Sequence, residues 1–154
     1  MYRSLAIAAG LGCAITCASF QLSDAAELRP AHAPKLCLDV RGGINQPDGT
    51  QLIVYGCHGG QNQNFSVLPD GTIRVGRRCV DIAGGAARPG DRVIVWPCTG
   101  GDNQRWWVGG NGQIIGKNNL CLDVARFGGS ETGVVAWSCK GPQEDASNQQ
   151  WSIR

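Results

Sequence analysis

The chain has 154 residues, a length that one domain accounts for and that can bury a sizeable core. Its 23 Gly and five Trp, against three Phe and one Met, fit short strands joined by tight turns better than long helices. The formal charge of +2 is spread over scattered acids and bases with no basic run or stripe, which argues against nucleic acid or an anionic membrane as partner.

Residues 1–25 read as an export signal. Arg3 supplies a short positive start, Leu5 to Phe20 is mostly apolar, and Ser23 and Ala25 are small residues where a signal peptidase reads. At 16 residues the apolar run is short for a membrane span, so no membrane insertion is expected once it is removed. A short leader, 26–34, follows. Cleavage takes away Cys13 and Cys17 and leaves Cys37, Cys57, Cys79, Cys98, Cys121 and Cys139. An even count in an exported chain predicts disulfides in an oxidising compartment, and therefore a secreted or periplasmic protein.

The remainder is written three times, over 35–76, 77–118 and 119–154. "LCLDV", "RCVDI" and "LCLDV" open the copies at 36, 78 and 120; "LIVYGC", "VIVWPC" and "VVAWSC" follow at 52, 93 and 134. "NQNF", "NQRW" and "NQQW" then stand at 62, 103 and 148. The first cysteines of the copies are 42 apart and the second ones 41 apart, so residue type and spacing agree throughout. The simplest pairing closes each copy on itself: Cys37 with Cys57, Cys79 with Cys98, Cys121 with Cys139. Each loop of about 20 residues would contribute on the order of 3 kcal/mol by restricting the unfolded chain. No metal site is expected, because no two of these thiols lie two to four apart and neither His32 nor His58 has a partner at ligand spacing.

Within a copy the runs are β-rich and bounded by Gly, Pro and Asp. Asp70-Gly71 and Asn111-Gly112 favour tight hairpin turns. The third copy stops three residues past Trp151, so its last strand is expected to pair elsewhere, most naturally with the start of the first copy, which would close the sheet. A repeat near 42 also suits a propeller blade, but three blades are too few. The expectation is an all-β, closed three-fold structure.

The "CLDV" runs, the aromatic two before each second cysteine and the "NQ-x-aromatic" motif resemble the ricin B-type lectins. The likeness covers residues 35–154. It implies a β-trefoil: a six-strand barrel capped by three hairpins, with three pseudo-equivalent repeats and one carbohydrate pocket on each. It implies that Phe65, Trp106 and Trp151 pack in the shared core, where large rings bury the most area. Asp39, Asp81 and Asp123 would accept hydrogen bonds from neighbouring sugar hydroxyls. Tyr55, Trp96 and Trp137 would stack on the sugar's C–H face. Asn62, Asn103 and Asn148 would donate to a hydroxyl, with Gln63, Gln104 and Gln149 holding the acids in place.

The second copy has the full set with a short loop. The first uses Tyr55 and ends in Phe65; the third carries the insertion "KGPQEDAS". Two residues before the aromatic, where many family members place a sugar-binding Gln, stand Ile53, Ile94 and Val135. Strand alternation puts these on the pocket face, at the loss of one hydrogen bond per pocket. The expected partners are glycans or glycoconjugates, polysaccharide included, with no cofactor and no catalysis: both His lie outside the repeated blocks and no nucleophile constellation is visible. The rival reading is a protein-interaction trefoil, a secreted inhibitor or a toxin-assembly subunit, whose mark would be loss of the acid, ring and amide set.

Overall fold

The computed structural model describes residues 25–154; the export signal expected over 1–25 lies, but for Ala25, outside them. The described residues contain twelve strands and short 3-10 turns, with no α-helix. In chain order the strands are β1 (Leu28–Pro30), β2 (Leu36–Val40), β3 (Leu52–Gly56), β4 (Ser66–Val67), β5 (Ile73–Val75) and β6 (Arg78–Ile82). Then come β7 (Val93–Pro97), β8 (Trp107–Val108), β9 (Ile114–Ile115), β10 (Leu120–Val124), β11 (Val134–Ser138) and β12 (Trp151–Ile153).

The "LCLDV"-type run of each copy pairs antiparallel with the aromatic-bearing run that follows it, as β2–β3, β6–β7 and β10–β11. The side-chain period of two then decides everything about these hairpins. Leu38, Val40, Leu52 and Val54 fall on one face and are fully buried, as are Val80, Ile82, Val93 and Val95 in the second copy. The opposite face carries the cysteine, the acid, the aliphatic residue and the aromatic ring. Single bridges Gln51↔Ile94, Arg92↔Val135 and Ile53↔Gly133 join the three hairpins in a cycle around the three-fold axis. The fold is a β-trefoil.

Closure occurs where the third copy runs out. β12 pairs with β1 in the register Leu28↔Ile153 and Pro30↔Trp151, and this removes an edge that would otherwise be open. The turns at Asp70-Gly71 and Asn111-Gly112 connect β4 to β5 and β8 to β9. Each motif aromatic hangs its backbone N–H on one neighbouring carbonyl: Trp106 on Gly71, Trp151 on Gly112, and Phe65 on Ala26. Their rings fill the shared core together with Leu28, Ile73 and Ile114. The two indoles also donate to Val80 and Leu122 at 3.0 and 2.9 Å, a bond that Phe65 has no atom to make.

Three disulfides, Cys37–Cys57, Cys79–Cys98 and Cys121–Cys139, lie one in each repeat. No helix among the described residues is long and apolar enough to cross a membrane.

Candidate carbohydrate-binding pockets

The hairpin face that does not enter the core forms the floor of a pocket in every copy. Asp39 stands opposite Ile53 and Cys37 opposite Tyr55; Asp81 and Asp123 stand opposite Ile94 and Val135. The acid, the aliphatic residue and the ring therefore share one surface. All three line a common cavity in each repeat, of about 520 Å³ in pocket one, 380 Å³ in pocket two and 390 Å³ in pocket three. Cavities of this size suit small ligands.

Tyr55, Trp96 and Trp137 are exposed at 41, 42 and 47%, while the acids beside them are almost completely buried. An exposed ring next to a buried acid is the reverse of what burial preferences alone produce. Ile53, Ile94 and Val135 line the pockets as strand alternation predicts.

The repeated glutamine explains how the acids stay in place. Gln63, Gln104 and Gln149 have no solvent exposure. In each, Nε2 donates to the acid's Oδ2 at 2.7–2.8 Å and to the carbonyl of Gly56, Pro97 or Ser138 at 2.9–3.0 Å. Oε1 accepts the backbone N–H of the residue after the second cysteine, which is His58, Thr99 or Lys140. The amide is thus satisfied on both ends, as a buried polar group must be. The other carboxylate oxygen, Oδ1, takes no hydrogen bond from the described residues, all the bonds to the acids going to Oδ2.

The asparagines divide two to one. Asn62 and Asn103 each donate from Nδ2 to the same acid oxygen at 2.9 Å and also to the carbonyl of Val40 or Ile82, at 3.4 and 3.2 Å. They brace the acid. Asn148 donates only to Val124 at 3.0 Å, and its Oδ1 accepts from Lys140 Nζ at 2.7 Å. The local backbone differs with the insertion in copy three: Asn62 and Asn103 sit in 3-10 turns, whereas Asn148 sits in a turn over 147–149 that is not 3-10.

Burial raises the pKa of Asp81 and Asp123 above the usual aspartate value, against the bonds from Gln104 and Asn103 in one case and, in the other, the bond from Gln149, the Lys140 charge and the nearby Asn148 amide. Desolvation of the charged form outweighs the amides that support it. In pocket one, His58 Nε2 lies 3.5 Å from Asp39 Oδ2, and its Nδ1 accepts the Gly60 N–H at 3.1 Å. That bond leaves Nε2 as the protonated nitrogen, facing the acid.

The structure brings all twelve sequence-expected residues to the three sites. It adds others that sequence reasoning passed over. His58, Thr99 and Lys140 occupy one position, at the inner rim. A second wall comes from a turn of another copy: Glu131 N–H bonds to Val54, Gly49 to Val95, and Gly90 to Ala136. A Cβ at Gly49 would meet the Trp96 ring at 3.6 Å and one at Gly90 the Trp137 ring at 3.5 Å. Glu131, with φ +70, fills that place beside Tyr55. Likewise Arg126 and Phe127, at φ +53 and +54, stand where the first two copies have Gly42-Gly43 and Gly84-Gly85. Non-glycine residues in this conformation cost on the order of 1 kcal/mol each. Alignment of the copies contains both exchanges; the signal was a glycine replaced in one copy of three.

Residues 24–151 match the ricin-type beta-trefoil lectin domain family. The chain is similar to Serine protease 1 of Rarobacter faecitabidus, 40% identical over 116 residues. Those residues are 75% of this chain and 21% of the protease, so the likeness spans about a fifth of that relative. Among solved structures it is similar to the designed three-fold symmetric protein ThreeFoil, with a TM-score of 0.71 and 28% identity over 83% of this chain and 96% of that one. It is also similar to a non-toxic homologue of type II RIPs from Momordica charantia in complex with alpha-methyl-D-galactoside, with a TM-score of 0.66 and 25% identity. That match covers 83% of this chain and 46% of the other. With three disulfide-closed repeats and a family match over most of its length, the chain belongs to the ricin-type β-trefoil lectin domain family.

Proposed function

We propose that the protein is a secreted or periplasmic lectin that holds galactose-type or related sugars in up to three shallow pockets, and that it binds without catalysing. One observation carries the reading. In every copy a buried aspartate, with one oxygen locked by glutamine and the other open, lies beside an exposed aromatic ring. A pyranose offers a patch of C–H groups to such a ring and a pair of hydroxyls to such an oxygen. The hydrogen bonds to the carboxylate are charge-assisted and so stronger than neutral ones.

A hydroxyl oxygen that needs a donor would take the Asn62 hydrogen that now reaches Val40 at 3.4 Å, the longest bond of the set. The aliphatic residue at 53, 94 or 135 offers no further donor, which favours weak single-site affinity. A Kd near 1 mM corresponds to about −4 kcal/mol. Three sites on one rigid frame compensate by avidity on a glycan-rich surface. Export is supported by the three disulfides, which persist in oxidising compartments.

The test is a glycan-array screen of the protein followed by retention on an immobilised sugar. Trp96→Ala should weaken retention while shifting stability by less than about 1 kcal/mol, because the ring is exposed. Unchanged retention would remove pocket two. Binding to a single protein and to no glycan would favour the interaction-trefoil reading instead.

A further inference from the structure

The pockets share a backbone and differ in charge. Asp81 is the one ionisable residue lining pocket two. Pocket one sets Arg41 and His58 against Asp39 and Glu131. Pocket three sets Arg126 and Lys140 against Asp123 alone. Asp123 is buried and has one oxygen held by Gln149. Positive charge is in excess only there. The nearby acids on the insertion, Glu144 and Asp145, turn their carboxylates to the Gly141 N–H and to Ser147 and line no part of the cavity.

The two cations act differently. Lys140 Nζ donates to Asn148 Oδ1 at 2.7 Å and to the Asp145 carbonyl at 2.9 Å, and it lies 3.9 Å over the Phe127 ring. Its hydrogens are engaged, so it fixes the ring and supplies field rather than a free donor. His32 supports the same ring from its edge, with centroids 5.8 Å apart. Arg126 is exposed, and its guanidinium finds no acceptor or counter-ion among the described residues. A free planar fork matches a carboxylate with two parallel bonds.

The backbone supplies the second argument. Copies one and two make this corner with glycine pairs, so the fold requires no side chain there. Copy three places Arg126 and Phe127 in the same left-handed conformation against their intrinsic preference. Strain kept on a pocket wall is an observation from which function is argued.

We infer that pocket three is specialised for a saccharide carrying a carboxylate, of the hexuronic acid class. Arg126 grips the carboxylate, while Phe127 and Trp137 form apolar walls for the ring. This rests on the lectin reading above and adds the ligand class of one site.

The experiment follows the indole N–H signals of Trp96 and Trp137 in the 15N-labelled protein. The probes are the methyl glycosides of galacturonic and glucuronic acid and their neutral counterparts, galactose and glucose. A uronate should move the Trp137 signal at about tenfold lower concentration than its neutral partner, the gain of one charge-assisted contact. Added salt should erode that preference. Arg126→Gln should abolish it and leave the Trp96 response to neutral sugar in place. Equal responses of Trp137 to both sugars, or a preference that survives Arg126→Gln, would overturn the inference alone. Silence of both indoles toward every sugar would overturn the inference, and a glycan array with no binding as well would overturn the lectin reading with it.

Discussion

Pockets two and three are built from the same strands, the same locked acid and the same exposed tryptophan, yet their rims have little in common. Pocket two is walled by glycines: Gly84 and Gly85 from its own copy and, beside Trp96, Gly49 from the copy before. Pocket three keeps the glycine beside its ring, as Gly90, but replaces the other two by Arg126 and Phe127. It also replaces neutral Thr99 by Lys140 at the inner rim. The lesson is a division of labour. The glutamines that hold the acid cannot change without leaving buried groups unpaired, whereas the residues around the mouth differ among the three copies.

The largest effect should come from removing what the pockets share. Gln104→Ala leaves Asp81 Oδ2, the Pro97 carbonyl and the Thr99 N–H each short of a partner. At 1–3 kcal/mol per unsatisfied buried group, partly offset by solvent entry, the expected loss is about 3 kcal/mol. Gln149→Ala should cost at least as much, because Gln113 Nε2 also donates to its Oε1 at 3.0 Å. Chemical denaturation midpoints check both. A small loss in either would break the idea that the two pockets share one buried amide as the support of the acid.

Acidification should act more gently and in two directions. Burial raises the pKa of Asp81 and Asp123, so folding disfavours their charged forms. The contribution of such a group favours folding below the ordinary aspartate pKa and is lost as pH rises through the raised folded value. Lowering pH through that window therefore relieves a cost to stability while it neutralises the acceptor of the proposed sugar contact. Retention at pockets two and three should fall at a higher pH than an ordinary aspartate would titrate, with no stability loss traceable to these groups. Asp81→Asn should lack pocket two's share of both effects, measured by column retention and thermal unfolding across pH.

The smallest effect tests the corner itself. Gly84 sits at φ +78 with open space around the position of a Cβ, so Gly84→Ala meets no neighbour and suffers backbone strain alone. It should destabilise by about 1 kcal/mol, and Arg126→Gly should stabilise by a similar amount. Opposite signs in unfolding midpoints would sharpen the contrast between the pockets. Like signs would mean that the corner is not strained in copy three.

Much of this molecule was legible in the linear chain. The cysteine pairing and the closing strand follow from the repeat, whereas the buried motif aromatics and the acid–ring–amide sets were what the resemblance to the ricin B-type lectins implied. Asn62, Asn103 and Asn148 look equivalent in sequence, but Lys140 and the looser turn after the insertion give Asn148 different partners. The cross-copy wall was hidden for another reason. Glu131 lies 76 positions beyond Tyr55 and belongs to pocket one only because the trefoil closes on itself.

Period, spacing and residue type by themselves determined the three-fold β architecture, the disulfides and the residues that face each floor, because those properties are local to a strand or a hairpin. Which turn walls which pocket, which amide hydrogens stay engaged, and where charge accumulates were decided only when the copies met around the axis. Contacts between segments far apart in the chain leave no periodic trace along it.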